Sequence, residues 1–193
     1  MNIKQSISLL LFLSGSSILL QAQNINPKPD EIFREDEVLE IQMTMSAVDK
    51  ETLHAEENKY ADIYMSTQLT LSNSEMDDVL ISNVGVRLRG NTARDHNKRS
   101  YKINFKEFGG EKFEGYKKLN LKPDVNDPTL IRELLTMHLF REMGVPAPLV
   151  APAALYINGE YMGAYLVIEQ IDDEFVDERF GHEEGFLYKC AYS

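Results

Sequence analysis

Val84-Gly85-Val86-Arg87-Leu88-Arg89-Gly90 alternates apolar and polar residues, and beyond a polar loop Ser100-Tyr101-Lys102-Ile103-Asn104-Phe105-Lys106 does so again. Alternation with a period of two marks a half-buried strand, because successive side chains leave opposite faces. Val84, Val86 and Leu88 take one face of the first strand and Arg87 and Arg89 the other. In the second strand Tyr101, Ile103 and Phe105 turn inward, with Lys102 and Asn104 opposite. Residues 91–99 between them hold a single apolar residue, Ala93. The two runs therefore read as an antiparallel hairpin that brings Arg87, Arg89 and Lys102 onto one surface.

Working outward, Val38–Met45 and Ile63–Leu71 also have strand character, separated by a charged stretch, Lys50–Asn58, that reads as a short helix or loop. Lys118–Lys122 repeats the device of the central hairpin, with Leu119 and Leu121 inward and Lys118, Asn120 and Lys122 opposite. Asp127-Pro128-Thr129 is a helix start, an N-cap candidate followed by proline at the first helical position. Ile131, Leu134, Leu135, His138 and Leu139 follow at helical spacing until Gly144 and Pro146 stop the helix, and His138 on this apolar face reads as a core residue. Asn158-Gly159 is a strong hairpin signal between Ala153–Ile157 and Tyr161–Gln170. Tyr161–Ile168 is apolar on both faces and so is expected to be a central strand. Asp172–Phe180 reads as a short acidic helix whose Asp172, Asp173 and Glu174 suit a helix N-terminus, and Gly185–Tyr192 as the start of another extended segment. The expected fold class is α+β, an antiparallel sheet with one main helix.

Residues 1–22 read as a secretory signal: Lys4, then the 14-residue run Ile7–Leu20, then a small residue at Ala22. Such a run is shorter than the roughly 20 residues that cross a bilayer, so no membrane anchor is expected once it is removed. Residues 23–37, with Pro27 and Pro29, read as a polar tether. The lone cysteine, Cys190, cannot form an internal disulfide. Charge is uneven. Arg87–Lys122 holds eleven basic residues against four acids, a local +7 within a chain of net charge −11. Outside that zone and residues 1–22 the remaining chain carries −19, which disfavours nucleic acid and anionic membrane, whereas the confined basic zone suits a compact anion such as phosphate.

Four segments in series resemble the CotH (spore coat protein H-like) kinase family. They are Val84–Thr92, Lys98–Ile103, Leu130–Pro146, and Tyr156–Gly163 with Leu166–Gln170. Thr92-Ala93 stands where members often carry two serines, a departure at the expected phosphate loop. The resemblance implies a domain over residues 38–193 with a divergent protein-kinase-like N-terminal lobe, cut off before a C-terminal lobe that would supply the base and the metal ligands. It implies ATP and Mg or Mn as cofactors and transfer of a phosphoryl group to Ser or Thr of a secreted or coat protein, outside the cell or in the periplasm. On that reading the fragment alone transfers no phosphate. A non-catalytic surface-attachment module and a nucleotide-binding pseudokinase-like lobe remain as alternatives.

Phosphoryl transfer asks a protein mainly to hold phosphates and neutralise charge. The covering loop would be Gly90–Lys98, flanked by Arg89 and Arg99, with Asn91 within it facing the nucleotide and Arg87 and Arg89 as fork-shaped phosphate ligands. The phosphate-contacting lysine is Lys102 or Lys122, with Lys102 preferred, and Glu133 on the helix would position it. Glu169-Gln170-Ile171-Asp172 would be the connector, where Glu169 and Ile171 offer backbone groups to adenine. No metal ligand is assigned.

Overall fold

Strand alternation here closes on itself. The computed structural model describes residues 25–123, 126–181 and 187–188. Residues 1–22, read as a signal, Cys190 and most of Gly185–Tyr192 lie outside the described residues. Seven strands form one closed barrel: β1 (Leu39–Thr44), β2 (Met65–Ser72), β3 (Val79–Arg89), β4 (Ser100–Asn104), β5 (Lys118–Lys122), β6 (Val150–Ile157) and β7 (Glu160–Glu169). Their order around the barrel is β1-β2-β3-β4-β5-β7-β6, and β6 returns to β1. Neighbours are antiparallel except at the closure, where β1 and β6 run parallel with Leu39 opposite Ala153 and Met43 opposite Ile157.

This corrects the expected fold class. The protein is a closed mixed β-barrel, not a kinase-like lobe of antiparallel sheet plus one main helix, and the described residues hold three small α-helices: α1 (Ala47–His54), α2 (Ile131–Glu142) and α3 (Asp173–Phe180). The physical reason is edge pairing. An open sheet would leave the backbone groups of β1 and β6 unpaired, and closure satisfies both edges.

The inward residues of every strand make one core. Leu39, Ile41 and Met43, then Leu69 and Leu71, Val84, Val86 and Leu88, Tyr101 and Ile103, Leu119 and Leu121, and Tyr165 and Val167 are all buried in it. One end of the barrel is filled by Ile32 and Phe33, both 0% exposed, with Phe33 edge-on to Tyr116 at 5.3 Å. Residues 25–37, read as a tether, are therefore packed structure. Two apolar residues among prolines and acids gave no periodic signal. The other end is covered by α1, whose Leu53 is buried and whose His54 Nε2 lies 2.9 Å from the Tyr101 hydroxyl.

The β6–β7 turn has φ of 52° at Asn158 and 79° at Gly159, the left-handed pair that a two-residue hairpin of this twist requires. Strand β7 lies between β5 and β6 and is covered on both sides, by the core at Tyr165 and Val167 and by α2 at Leu166 and Ile168.

Helix α2 differs from expectation at its start and its face. It begins at Ile131, after Leu130 in the left-handed region at φ 59°, so Pro128 is not its first residue. Asp127 still caps it, accepting from Arg132 N at 2.9 Å and from the Thr129 hydroxyl at 2.6 Å. Leu130, Leu134 and Met137 face the barrel, against Val150, Leu166 and Ile168. Ile131, Leu135 and Leu139, expected in the core, are exposed, and His138 is half exposed. The i, i+4 spacing showed an apolar stripe without telling which of two stripes meets the barrel.

Candidate functional site: a basic cleft between the barrel and helix α2

The outer faces of β3, β4, β5 and β7 form the floor of a cleft walled by α2 and by residues 169–171. Its volume is about 660 Å³. Strand register sets the floor. Arg89 stands opposite Ser100 and Arg87 opposite Lys102; Lys102 in turn is opposite Asn120 and Asn120 opposite Ile168. Neighbouring strands are about 4.8 Å apart, so Arg89, Lys102 and Lys122 fall within the span of one polyphosphate. All three line the cleft, together with Glu133, Glu169 and Ile171.

The cations differ in how they are held. Lys122 Nζ lies 2.6 Å from Glu133 Oε2, so of the two lysines the helix carboxylate was expected to serve, Lys102 or Lys122, it is paired with Lys122. The Arg89 side chain makes no hydrogen bond or ion pair among the described residues, and Glu133, the one attractive charge acting on it there, already serves Lys122. Burial disfavours the charge on Arg89, so a guanidinium here gains from an anion in the cleft. Asn120 is buried on the cleft floor with its Oδ1 unpartnered among the described residues. Sequence reading placed Asn120 on the correct face but did not single it out. A buried carboxamide oxygen without a donor is a place for a ligand donor.

Arg87 and Asn91 do not join the cleft lining. The Arg87 guanidinium pairs with Asp62, which also accepts from Arg94 Nη2 at 2.7 Å. The Arg94 hydrogen bond holds the Asp62 carboxyl below its ordinary value. Asn91 is exposed, and its carbonyl accepts from Arg94 N at 3.3 Å. The loop after β3 turns its other charges away from the cleft as well. Asp95 is bound by the Tyr60 hydroxyl at 2.6 Å and Lys59 Nζ at 2.7 Å, Lys98 Nζ donates to Ala164 O at 2.6 Å, and Arg99 donates to His54 O at 3.2 Å. Asp62 is the residue sequence reading missed, since its distance in sequence from Arg87 and Arg94 left no local signal. The expected loop charges thus pin the loop to residues 54–62 and to β7.

At the connector, Glu169 is a buried structural acid. Both its oxygens accept from Arg179, at 2.9 and 2.6 Å, and Leu149 N donates to it at 2.9 Å. Burial pushes its carboxyl upward against the pull of Arg179. Its backbone N–H is bonded to Leu149 O at 2.9 Å, which leaves the following residues, Gln170 and Ile171, as the connector's cleft-side backbone. Among the described residues no group of three or more His, Cys, Asp or Glu side chains converges as a metal site.

Comparison with known proteins matches residues 86–193, more than half of the chain, to the family described as CotH kinase protein. The chain is 31% identical over 96 residues to the inner spore coat protein H of Bacillus subtilis (strain 168), covering 50% of this chain and 26% of that protein. It is 37% identical over 79 residues to an inner spore coat protein H-like protein of the same organism, covering 40% of this chain and 24% of that protein. The aligned stretches thus span about a quarter of each relative's length. The family match takes in β4, β5, α2, β6 and β7, the elements that build the cleft, and the chain belongs to the CotH kinase protein family.

Proposed function

We propose that the cleft holds the phosphates of ATP, with Mg or Mn, for phosphoryl transfer to a hydroxyl group of a secreted or coat protein. The observation that carries this reading is Arg89: a guanidinium on the cleft floor, disfavoured by burial and without an anionic partner of its own. Its planar fork suits two non-bridging phosphate oxygens, while Lys102 and Lys122 act as point charges beside it. Glu133 keeps Lys122 directed into the cleft. Asn120 Oδ1 and the backbone of Gln170 and Ile171 offer hydrogen-bonding groups to the rest of the nucleotide. Bound there, the nucleotide would supply the phosphoryl group, and a metal carried with it would neutralise charge on the phosphate oxygens beside Arg89, Lys102 and Lys122. The acidic remainder of the chain favours a small anion over nucleic acid as partner, and the apolar run at residues 7–20 supports action outside the cytoplasm.

A second reading, a surface-attachment module, draws on α2, which exposes Ile131, Leu135, Leu139 and Met143 along one ridge. Equilibrium binding of ATP with Mg to the chain separates the two. Loss of a charged hydrogen bond of about 1.5–3 kcal/mol predicts that Arg89→Ala weakens binding by about 10- to 100-fold. Equal affinity of Arg89→Ala and wild type, or no binding by either, would overturn the cleft reading.

A further inference from the structure

Helix α2 carries Glu133, yet its own hold on the barrel is slight. Of its residues only Arg141 is buried, and three side chains at its N-terminal half, Leu130, Leu134 and Met137, make its apolar contact. Its C-terminal half is held instead by the segment before β1. Glu35 grips it twice, with one carboxylate oxygen paired to the Arg141 guanidinium and the other 2.6 Å from His138 Nδ1. Asn26 holds the chain just past the helix, donating to Val145 O at 2.8 Å and accepting from Ala147 N at 3.0 Å.

This segment is itself a fixed point. Ile32 and Phe33 are sunk in the end of the barrel, and Asp30 accepts from the Tyr116 hydroxyl. Glu35 therefore stands on a rigid base and transmits that rigidity to α2. Because Arg141 also donates to Pro148 O at 2.7 Å, the helix end is tied on one side to the segment and on the other to the start of β6.

We infer that Glu35 is a positioning residue for the cleft: the segment at residues 25–37 clamps the C-terminal turns of α2 and so keeps Glu133 in reach of Lys122. This rests on the nucleotide-cleft reading for its consequence, but the clamp itself exists without ligand. Release of the clamp lets the C-terminal turns of α2 lift and the helix rock on Leu130, Leu134 and Met137, which shifts Glu133 against Lys122 and loosens the hold on that cation.

The test measures two quantities on the full chain. The first is amide hydrogen exchange of α2 without ligand, and the second is affinity for MgATP. Glu35→Ala is expected to speed exchange across 135–142 at least tenfold while the β6 and β7 amides keep their protection, and to weaken MgATP several-fold. Glu35→Gln retains an acceptor for Arg141, is the safer variant for folding, and should give a smaller shift in the same direction. The decisive readout is coupling. In a Glu133→Gln background Glu35→Ala should weaken MgATP no further, whereas a merely structural role would give additive losses. Unchanged α2 exchange in both Glu35 variants, or additive losses, would overturn the clamp. If wild type binds no MgATP, the cleft reading falls and the exchange measurement alone still decides whether Glu35 holds α2.

Discussion

Replacing Arg179 by Met should be among the costliest single changes in the protein, and its cost should depend on pH. Arg179 has a side chain 0% exposed and Glu169 one 2% exposed, with their closest atoms 2.6 Å apart. Arg179 also donates to Ala147 O at 3.0 Å, and its guanidinium lies 3.7 Å from the Phe175 ring centroid. Methionine keeps the apolar stem but strands the Glu169 carboxylate away from water. Removing one partner of a buried pair costs about 3–5 kcal/mol, a large part of the roughly 5–15 kcal/mol that keeps a domain folded. The stranded carboxyl then has a folded pKa well above its unfolded one. Its contribution to stability is full below the unfolded value and is lost as pH rises through the folded value. Urea unfolding followed by circular dichroism should therefore show a deficit that is largest at pH 8 and shrinks towards pH 5. The double change Glu169→Gln with Arg179→Met should recover much of it, since neither charge is then stranded. A loss below about 1 kcal/mol, or a deficit equal at both pH values, would mean that Glu169 is not stranded by the change.

Two further outcomes follow from the same packing. Phe33→Ala removes a fully buried ring from the barrel end and should lower stability by about 3–5 kcal/mol in the same unfolding assay, whereas a tether residue would change nothing. Burial, reinforced by Glu174, pushes the Asp172 carboxyl up to about 6. A carboxyl raised on folding stabilises the protein below its unfolded value and loses that contribution as pH rises through about 6. Asp172→Asn should then be more stable than wild type at pH 8 and level with it near pH 4, and a gap that persists at low pH would contradict this.

Local patterns carried much of this structure into the sequence. The alternation at Val84–Leu88 and Tyr101–Ile103 fixes which side chains enter the core, and Asn158-Gly159 marks its turn because few other pairs accept two positive φ angles. Closure of the barrel was not legible. The parallel pairing of β1 with β6 joins residues more than a hundred positions apart, and neither strand's own alternation names its partner. The same limit applied at the cleft. Register placed Arg89 and Lys102 on one surface, but which carboxylate captures which cation depends on distant chain. Asp62 takes Arg87, and Glu133 takes Lys122, the second of the two lysines left open by the sequence. Glu35 was invisible for the reason that hid Asp62: its partners, His138 and Arg141, are supplied by an element far along the chain.

On the proposed reading, the floor of the cleft holds a nucleotide's phosphates. A crystal structure of the chain with a non-hydrolysable ATP analogue and Mg tests it most directly. The phosphates are expected against the Arg89 guanidinium, with Lys102 and Lys122 beside them and the base towards Gln170 and Ile171. An analogue bound elsewhere on the protein, or bound in the cleft with its phosphates away from Arg89, would contradict it.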